Sequence, residues 1–233
     1  CWLNAKTSSR NVSHYKIMIK VNPEWMPDKF FFLVSGGVDS ALVSTLCAMT
    51  GKPTIVLSLP IKQNKTELAR ANNHIAWLKQ NYTNVQNYTI DLNMYISPRE
   101  YNIYELLLDS IVRSGIDKKS ENFNITDANT KSRLRMLILY FFAGINKSLV
   151  VGTGNKIEDF GIGFCTKYGD GGVDISPIGD LTKTEVKELA KFIGVAEEIT
   201  TAKPTDGLWD DGRSDEDQIG ATYDELEWAM EEF

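Results

Sequence analysis

The stretch Phe30-Phe31-Phe32-Leu33-Val34-Ser35-Gly36-Gly37-Val38-Asp39-Ser40-Ala41-Leu42 decides how the rest of the chain is read. Phe30 to Val34 is an unbroken apolar run closed by a glycine pair, the pattern of a short buried strand. Ala41, Leu42, Thr45, Leu46 and Met49 then recur at helical spacing, which places Ser40 in the first turn of a helix. Glycines between a strand and a helix let backbone N–H groups approach an anion, and the helix dipole adds positive character there. Ser35 and Ser40 bring hydroxyl donors, and Asp39 brings the oxygen ligand that magnesium prefers. The segment is therefore drawn for a phosphate chain and its metal. No Gly-Lys-Ser/Thr follows the glycines, so it is not a Walker loop.

Working outward, Thr54–Leu59, the alternating stretch Gln86–Leu92 and Ser148–Gly152 are each read as a strand. Helical patterns fall at Lys65–Gln80, Tyr101–Val112 and from about Asp127 to Asn146, with Ser114–Asn124 read as a polar loop. Alternating strands and helices imply an α/β fold, a parallel twisted sheet with helices on both faces. Ligands collect beyond the carboxyl ends of such strands. The loops Ser35–Ser40 and Thr153–Glu158 are both expected to open on that crevice. The chain is read as one domain over residues 1–233, its 42% hydrophobic content being enough for a core. Pro23 and Pro27 leave residues 1–29 unreadable.

The net charge of −6 argues against a nucleic-acid surface and leaves phosphate recognition to local basic residues. Cys1, Cys47 and Cys165 form no CxxC pair, and Cys47 is expected in the core. Sparse cysteines and the lack of any membrane-length apolar run or leader pattern point to a cytoplasmic protein with no membrane partner. His74, on a helix face with no second ligand nearby, is read as structural.

A second chemical segment runs from Val150 to Lys183. Lys167, Asp170 and Asp174 bracket a glycine-rich turn, and Thr182 with Glu185 forms a capping-box pattern that puts Lys183 in a first helical turn. A lysine there opposes the dipole, and an anionic phosphate would relieve it.

Ser35 to Ser40 resembles the PP-loop of the ATP pyrophosphatases, Ser-Gly-Gly-x-Asp-Ser. The stretch from Gly152-Thr153 to Glu158 and Thr166-Lys167-Tyr168-Gly169-Asp170-Gly171-Gly172-Val173-Asp174 resembles ammonia-dependent NAD synthetase. Arg133-Leu134-Arg135-Met136 resembles the same family's Arg-x-Arg-Met helix, and the similarity covers most of the chain from Phe30 to the end, including Lys203-Pro204-Thr205 and Asp215-Glu216 to Tyr223. The resemblance implies an adenine nucleotide alpha-hydrolase-like (Rossmann-like) layer sandwich, a homodimer, and the conversion of deamido-NAD, ATP and ammonia to NAD, AMP and pyrophosphate through an acyl adenylate.

Carried over by position, Ser35, Gly36, Gly37, Val38, Asp39, Ser40, Thr153, Lys183 and Thr205 would contact ATP. Asp39 and Glu158 would hold magnesium, while Arg133, Lys167 and Asp174 would contact deamido-NAD. Asp39, Lys183 and Asp174 are taken as the catalytic set. By itself Arg133 reads equally as a helix-surface charge, Thr205 as a turn residue and Asp170 as a turn former.

The chain departs from the family pattern at Leu33 and Ala128, where glycines are usual, and carries one more residue between Glu158 and Lys167 than some members. It stops at Phe233, before the family's His-Lys pair, and starts without Met, so both ends are expected to be incomplete. Two other readings are another PP-loop ligase, such as a tRNA-thiolating or GMP-forming enzyme, and an ATP-binding sensor without turnover.

Overall fold

The computed structural model describes residues 29–93, 110–111, 113–115, 120–205, 207 and 212–232. Strand β1 (Phe30–Leu33) runs beside β2 (Thr54–Ser58), with Phe30 opposite Thr54 and Leu33 opposite Leu57. Strand β3 (Val85–Thr89) extends the sheet beyond β2, and the short β4 (Leu149–Val150) pairs with the other edge of β1. All pairings are parallel, in the order β3-β2-β1-β4.

Side chains on a strand alternate faces, and the phenylalanines of β1 show what that achieves. Phe30 and Phe32 enter a core with helices α1 (Val38–Met49) and α2 (Lys65–Asn81), while Phe31 enters the opposite core with Met136, Leu139 and Ala143. The last three lie on α3 (Glu121–Asn146). Phe31 and Phe32 are fully buried, each contributing about 1.5–3 kcal/mol of apolar burial. A three-layer sandwich results, as expected of an α/β chain. The C-terminal part adds helices α4 (Lys183–Phe192), α5 (Glu197–Thr200), α6 (Asp215–Ile219) and α7 (Tyr223–Glu232).

Several boundaries differ from the sequence reading. Helix α3 begins at Glu121, not near Asp127, because Ser120 Oγ accepts from Phe123 N at 3.2 Å and caps it. The end of the expected loop, through Asn124, is therefore helical. The third strand stops at Thr89 and the fourth covers only Leu149–Val150, after which Val151 makes a single bridge to Ile175. The expected helix Tyr101–Val112 lies outside the described residues except for Ser110 and Ile111, which are helical. Among the described residues no helix is long and apolar enough to cross a membrane.

His74 is structural, as read. Its ring shares a 2.8 Å hydrogen bond with Ser44 Oγ and stacks on Trp77. Burial pushes its pKa down to about 4, so it folds as the neutral imidazole. A base with a depressed folded pKa contributes stability that is complete above its ordinary value near 6.5. That stability fades as the pH falls from there toward 4. Urea midpoints of wild type and His74→Gln at pH 7 and pH 4.5 should converge by about 2–3 kcal/mol at the lower pH. A constant difference would place the ring in solvent. Cys47 is buried in the same layer, and burial pushes its thiol up to about 12.

Candidate active site

The turn after β1 is shaped by two glycines. Gly36 has φ +96°, and a methyl group there would run into the carbonyl oxygen of Glu67, so α2 presses directly on the loop. Gly37 is the N-cap of α1 and offers no side chain to the first-turn N–H groups. Those donors are left for a ligand. Ser40 Oγ donates to Gly37 O at 3.0 Å and lies 3.1 Å from Ser35 Oγ, so the two hydroxyls close the loop on itself.

Asp39 stands in the first turn of α1 and is met by groups from the far end of the chain. Lys183 Nζ donates to Asp39 Oδ2 at 2.7 Å and to Glu158 Oε1 at 2.8 Å. Lys183 is 2% exposed. Burial alone would lower its pKa, but the charges of Asp39 and Glu158 outweigh it and hold the ammonium charged far above the usual lysine range. Thr182 and Glu185 form the complete capping box, with Thr182 N donating to Glu185 Oε2 at 2.9 Å. The lysine at the positive end of α4 is thus offset by two carboxylates already in the protein.

Asn155 organises the other wall. It is fully buried, and its Oδ1 accepts from the backbone N–H groups of Ile157 and Glu158 at 3.0 Å each. This caps a π-helical turn, Lys156–Ile162, while Asn155 Nδ2 donates to Asp39 Oδ1 at 3.0 Å. One asparagine therefore ties both loops together. Tyr223 OH donates to Glu158 from α7. Burial and the carboxylates of Glu158 and Asp215 push that phenol well above its usual value, so it remains a donor. Asp159 packs against Gly154, where a methyl group would overlap its carboxylate. Burial, with Asp170, Glu158 and Asp39 nearby, pushes Asp159 up to about 7.

The glycine turn and the Asp39–Lys183–Glu158 cluster line one cavity of about 610 Å³. It brings together Ser35, Gly37, Val38, Asp39, Ser40, Thr153, Glu158, Lys183 and Thr205, with Gly36 forming the loop behind. Arg133, Lys167 and Asp174 are not among its lining residues. Arg133 is exposed, and its Nε donates to Lys167 O at 3.1 Å. Lys167 reaches back over the Tyr168 ring. Asp174 accepts from Val150 N at 2.8 Å and Tyr140 OH at 3.0 Å, bracing β4 against α3. In that turn it is Asp170 that borders the cavity, accepting from Ser132 Oγ at 2.6 Å.

The cavity opens over the glycine turn, with the carboxylates of Asp39 and Glu158 at its base. The family model described as NAD synthase matches residues 17–232. The chain belongs to the NAD synthase family. It is 38% identical to the NH(3)-dependent NAD(+) synthetase of Methanococcoides burtonii over 201 residues, covering 85% of this chain and 69% of that relative. It is 35% identical to the enzyme of the same name from Carboxydothermus hydrogenoformans, covering 97% and 80%. Among solved structures, an NMN synthetase from Francisella tularensis matches with TM-score 0.75 and 32% identity, covering 89% of this chain and 79% of that one. An NH3-dependent NAD synthetase from Campylobacter jejuni matches with TM-score 0.58 and 30% identity, covering 75% and 67%.

Within this family member, the sequence reading assigns no role to Asn155, Asp159 or Tyr223. Asn155 carries an N-terminal signal, Asn before Lys-Ile-Glu-Asp. Tyr223 carries none, since its role follows from how α7 docks.

Proposed function

We propose that this chain makes NAD from deamido-NAD, ATP and ammonia. The nicotinate carboxylate attacks the α-phosphorus of ATP, and the bond to pyrophosphate breaks. Ammonia then adds to the acyl carbon, loses a proton, and AMP departs. A bare carboxylate resists ammonia because its leaving group is poor, and adenylation supplies a good one. The observation that carries this reading is the open PP-loop set directly over the Asp39–Lys183–Glu158 cluster.

Magnesium suits the same cluster. Two carboxylate oxygens already converge within 2.8 Å of a single cationic nitrogen, and this ion commonly takes one or two protein carboxylates with the rest from phosphate and water. Asp39 and Glu158 would hold it. When bound, it would neutralise charge on the departing pyrophosphate. The chain's own groups do the positioning. Loop N–H groups, Ser35 and Ser40 face the phosphates, and Thr153 and Thr205 border the nucleotide.

The proposed assembly is a homodimer. Arg133, Leu137, Phe141 and Ile145 follow one another along a single row of α3, and the last three are 67%, 64% and 66% exposed. Such a row supports a partner face, with Arg133 and Lys167 at its rim for the dinucleotide. Light scattering should report a dimer for wild type and a monomer for Phe141→Glu. A monomeric, fully active wild type would overturn this. The scattered cysteines support a cytoplasmic setting.

Pyrophosphate release that requires deamido-NAD, followed by NAD on adding ammonium, tests the reaction. ATP binding without release would favour the sensor. The TM-score to the NMN synthetase favours a second reading in which the nicotinate substrate is a mononucleotide. Comparing kcat/KM for nicotinate mononucleotide and deamido-NAD separates the two.

A further inference from the structure

Helix α2 presents one flank to the PP-loop, and polar groups on and just before it reach that loop. Gln63 Nε2, just before the helix, donates to Ser35 O at 2.7 Å. The carbonyl of Glu67 fills the space beside Gly36, and its carboxylate accepts from Thr205 Oγ1 at 2.6 Å. One turn further on, Arg70 Nε donates to Gly36 O at 3.3 Å. Arg70 also borders the cavity.

We propose that Arg70 is a phosphate-binding residue of the ATP site, holding the phosphates that leave as pyrophosphate. The inference rests on the ATP reading of this cavity. Three observations carry it. The guanidinium is planar and rigid, so fixing Nε on Gly36 O holds both Nη groups beside the loop whose N–H groups face the phosphates. Among the described residues, that guanidinium bonds Gly36 O through its Nε alone, so its fork retains donors for two phosphate oxygens. The lysines at the cavity are engaged elsewhere: Lys183 lies between two carboxylates, and Lys203 pairs with Asp217 at 3.2 Å, while Arg135, also at the cavity, holds its Nε on Leu59 O at 3.1 Å rather than on the loop. A PP-loop without its own lysine gains from a cation supplied by a neighbouring helix, and Arg70 is placed to supply it.

Calorimetric titration of the full chain with magnesium pyrophosphate, and separately with AMP, tests the assignment. Arg70→Gln should weaken pyrophosphate on the order of tenfold to a hundredfold and leave AMP within about twofold. Arg70→Lys should recover part of the loss, since charge returns without the fork. In turnover, KM for ATP should rise more than kcat falls. Unchanged pyrophosphate affinity in Arg70→Gln overturns the proposal. Equal loss of both ligands overturns it too, marking Arg70 as a structural prop of Gly36. If wild type binds neither ATP nor pyrophosphate, the ATP reading itself has failed.

Discussion

Lys183→Met is expected to lose adenylation almost entirely and to destabilise the fold by about 3–5 kcal/mol, the cost of breaking a buried ion pair from one side. The substitution keeps an apolar stem of similar length but leaves Asp39 and Glu158 facing one another without a cation. Both side chains are mostly buried, with 16% and 14% of their surface exposed, so water cannot take over. Urea unfolding measures the loss. Added magnesium chloride should then raise the melting temperature of Lys183→Met, because the metal can enter the position Nζ held. Without ATP to supply the remaining oxygen ligands, it should shift wild type little at matched ionic strength. The pH dependence has a definite sign. A lysine whose folded pKa is raised contributes fully below its ordinary value near 10.5 and loses that contribution only as the pH climbs through the raised one. The gap between wild type and variant should therefore stay constant from pH 6 to pH 9. A variant within about 1 kcal/mol of wild type would show that the triad carries little stability.

Asp39→Asn separates charge from shape. The amide preserves the side-chain outline, and its oxygen can still accept from Asn155 Nδ2. Lys183 retains Glu158, so the fold should persist. What disappears is one carboxylate charge at the proposed phosphate and metal site. Removing a single charge-stabilising contact of this kind costs about 3 kcal/mol of barrier, a factor on the order of a hundred in rate. Pyrophosphate release in single turnover, with ATP and deamido-NAD saturating, isolates the step. The magnesium concentration for half-maximal rate should rise in parallel. Wild-type turnover at limiting magnesium would remove Asp39 from the metal site.

The parts of this architecture that were legible in the sequence are those set by neighbours along the chain. The apolar run before Ser35, the glycine turn and the Thr182–Glu185 capping box are local patterns, and each forms where its residues stand. The start of α3 was misplaced because Ser120 is an isolated cap in a polar stretch, where periodicity is weak. Inside the site, what escaped reading depends on docking. Asp170 and Asp174 are both aspartates of one glycine-rich turn, and only the turn's path sends one to the cavity and the other to Val150 and Tyr140. Arg133 and Arg135 differ by two helical positions, so they leave α3 in different directions. Arg135 borders the cavity and donates to Leu59 O at 3.1 Å.

The Asp39–Lys183 contact joins residues 144 positions apart, and that separation sets an order of events during synthesis. At about 5–20 residues per second, Asp39 leaves the ribosome roughly 7–30 s before Lys183. During that interval β1, β2 and β3 can pair, since every strand they need has been made. Asp39 and then Glu158, however, meet as like charges with no ammonium between them. A chain interrupted before α4 thus carries an assembled sheet with an electrostatically repelling mouth. Lys183 is the last member of that charge cluster to be made, so the cluster is complete only once residue 183 has been translated.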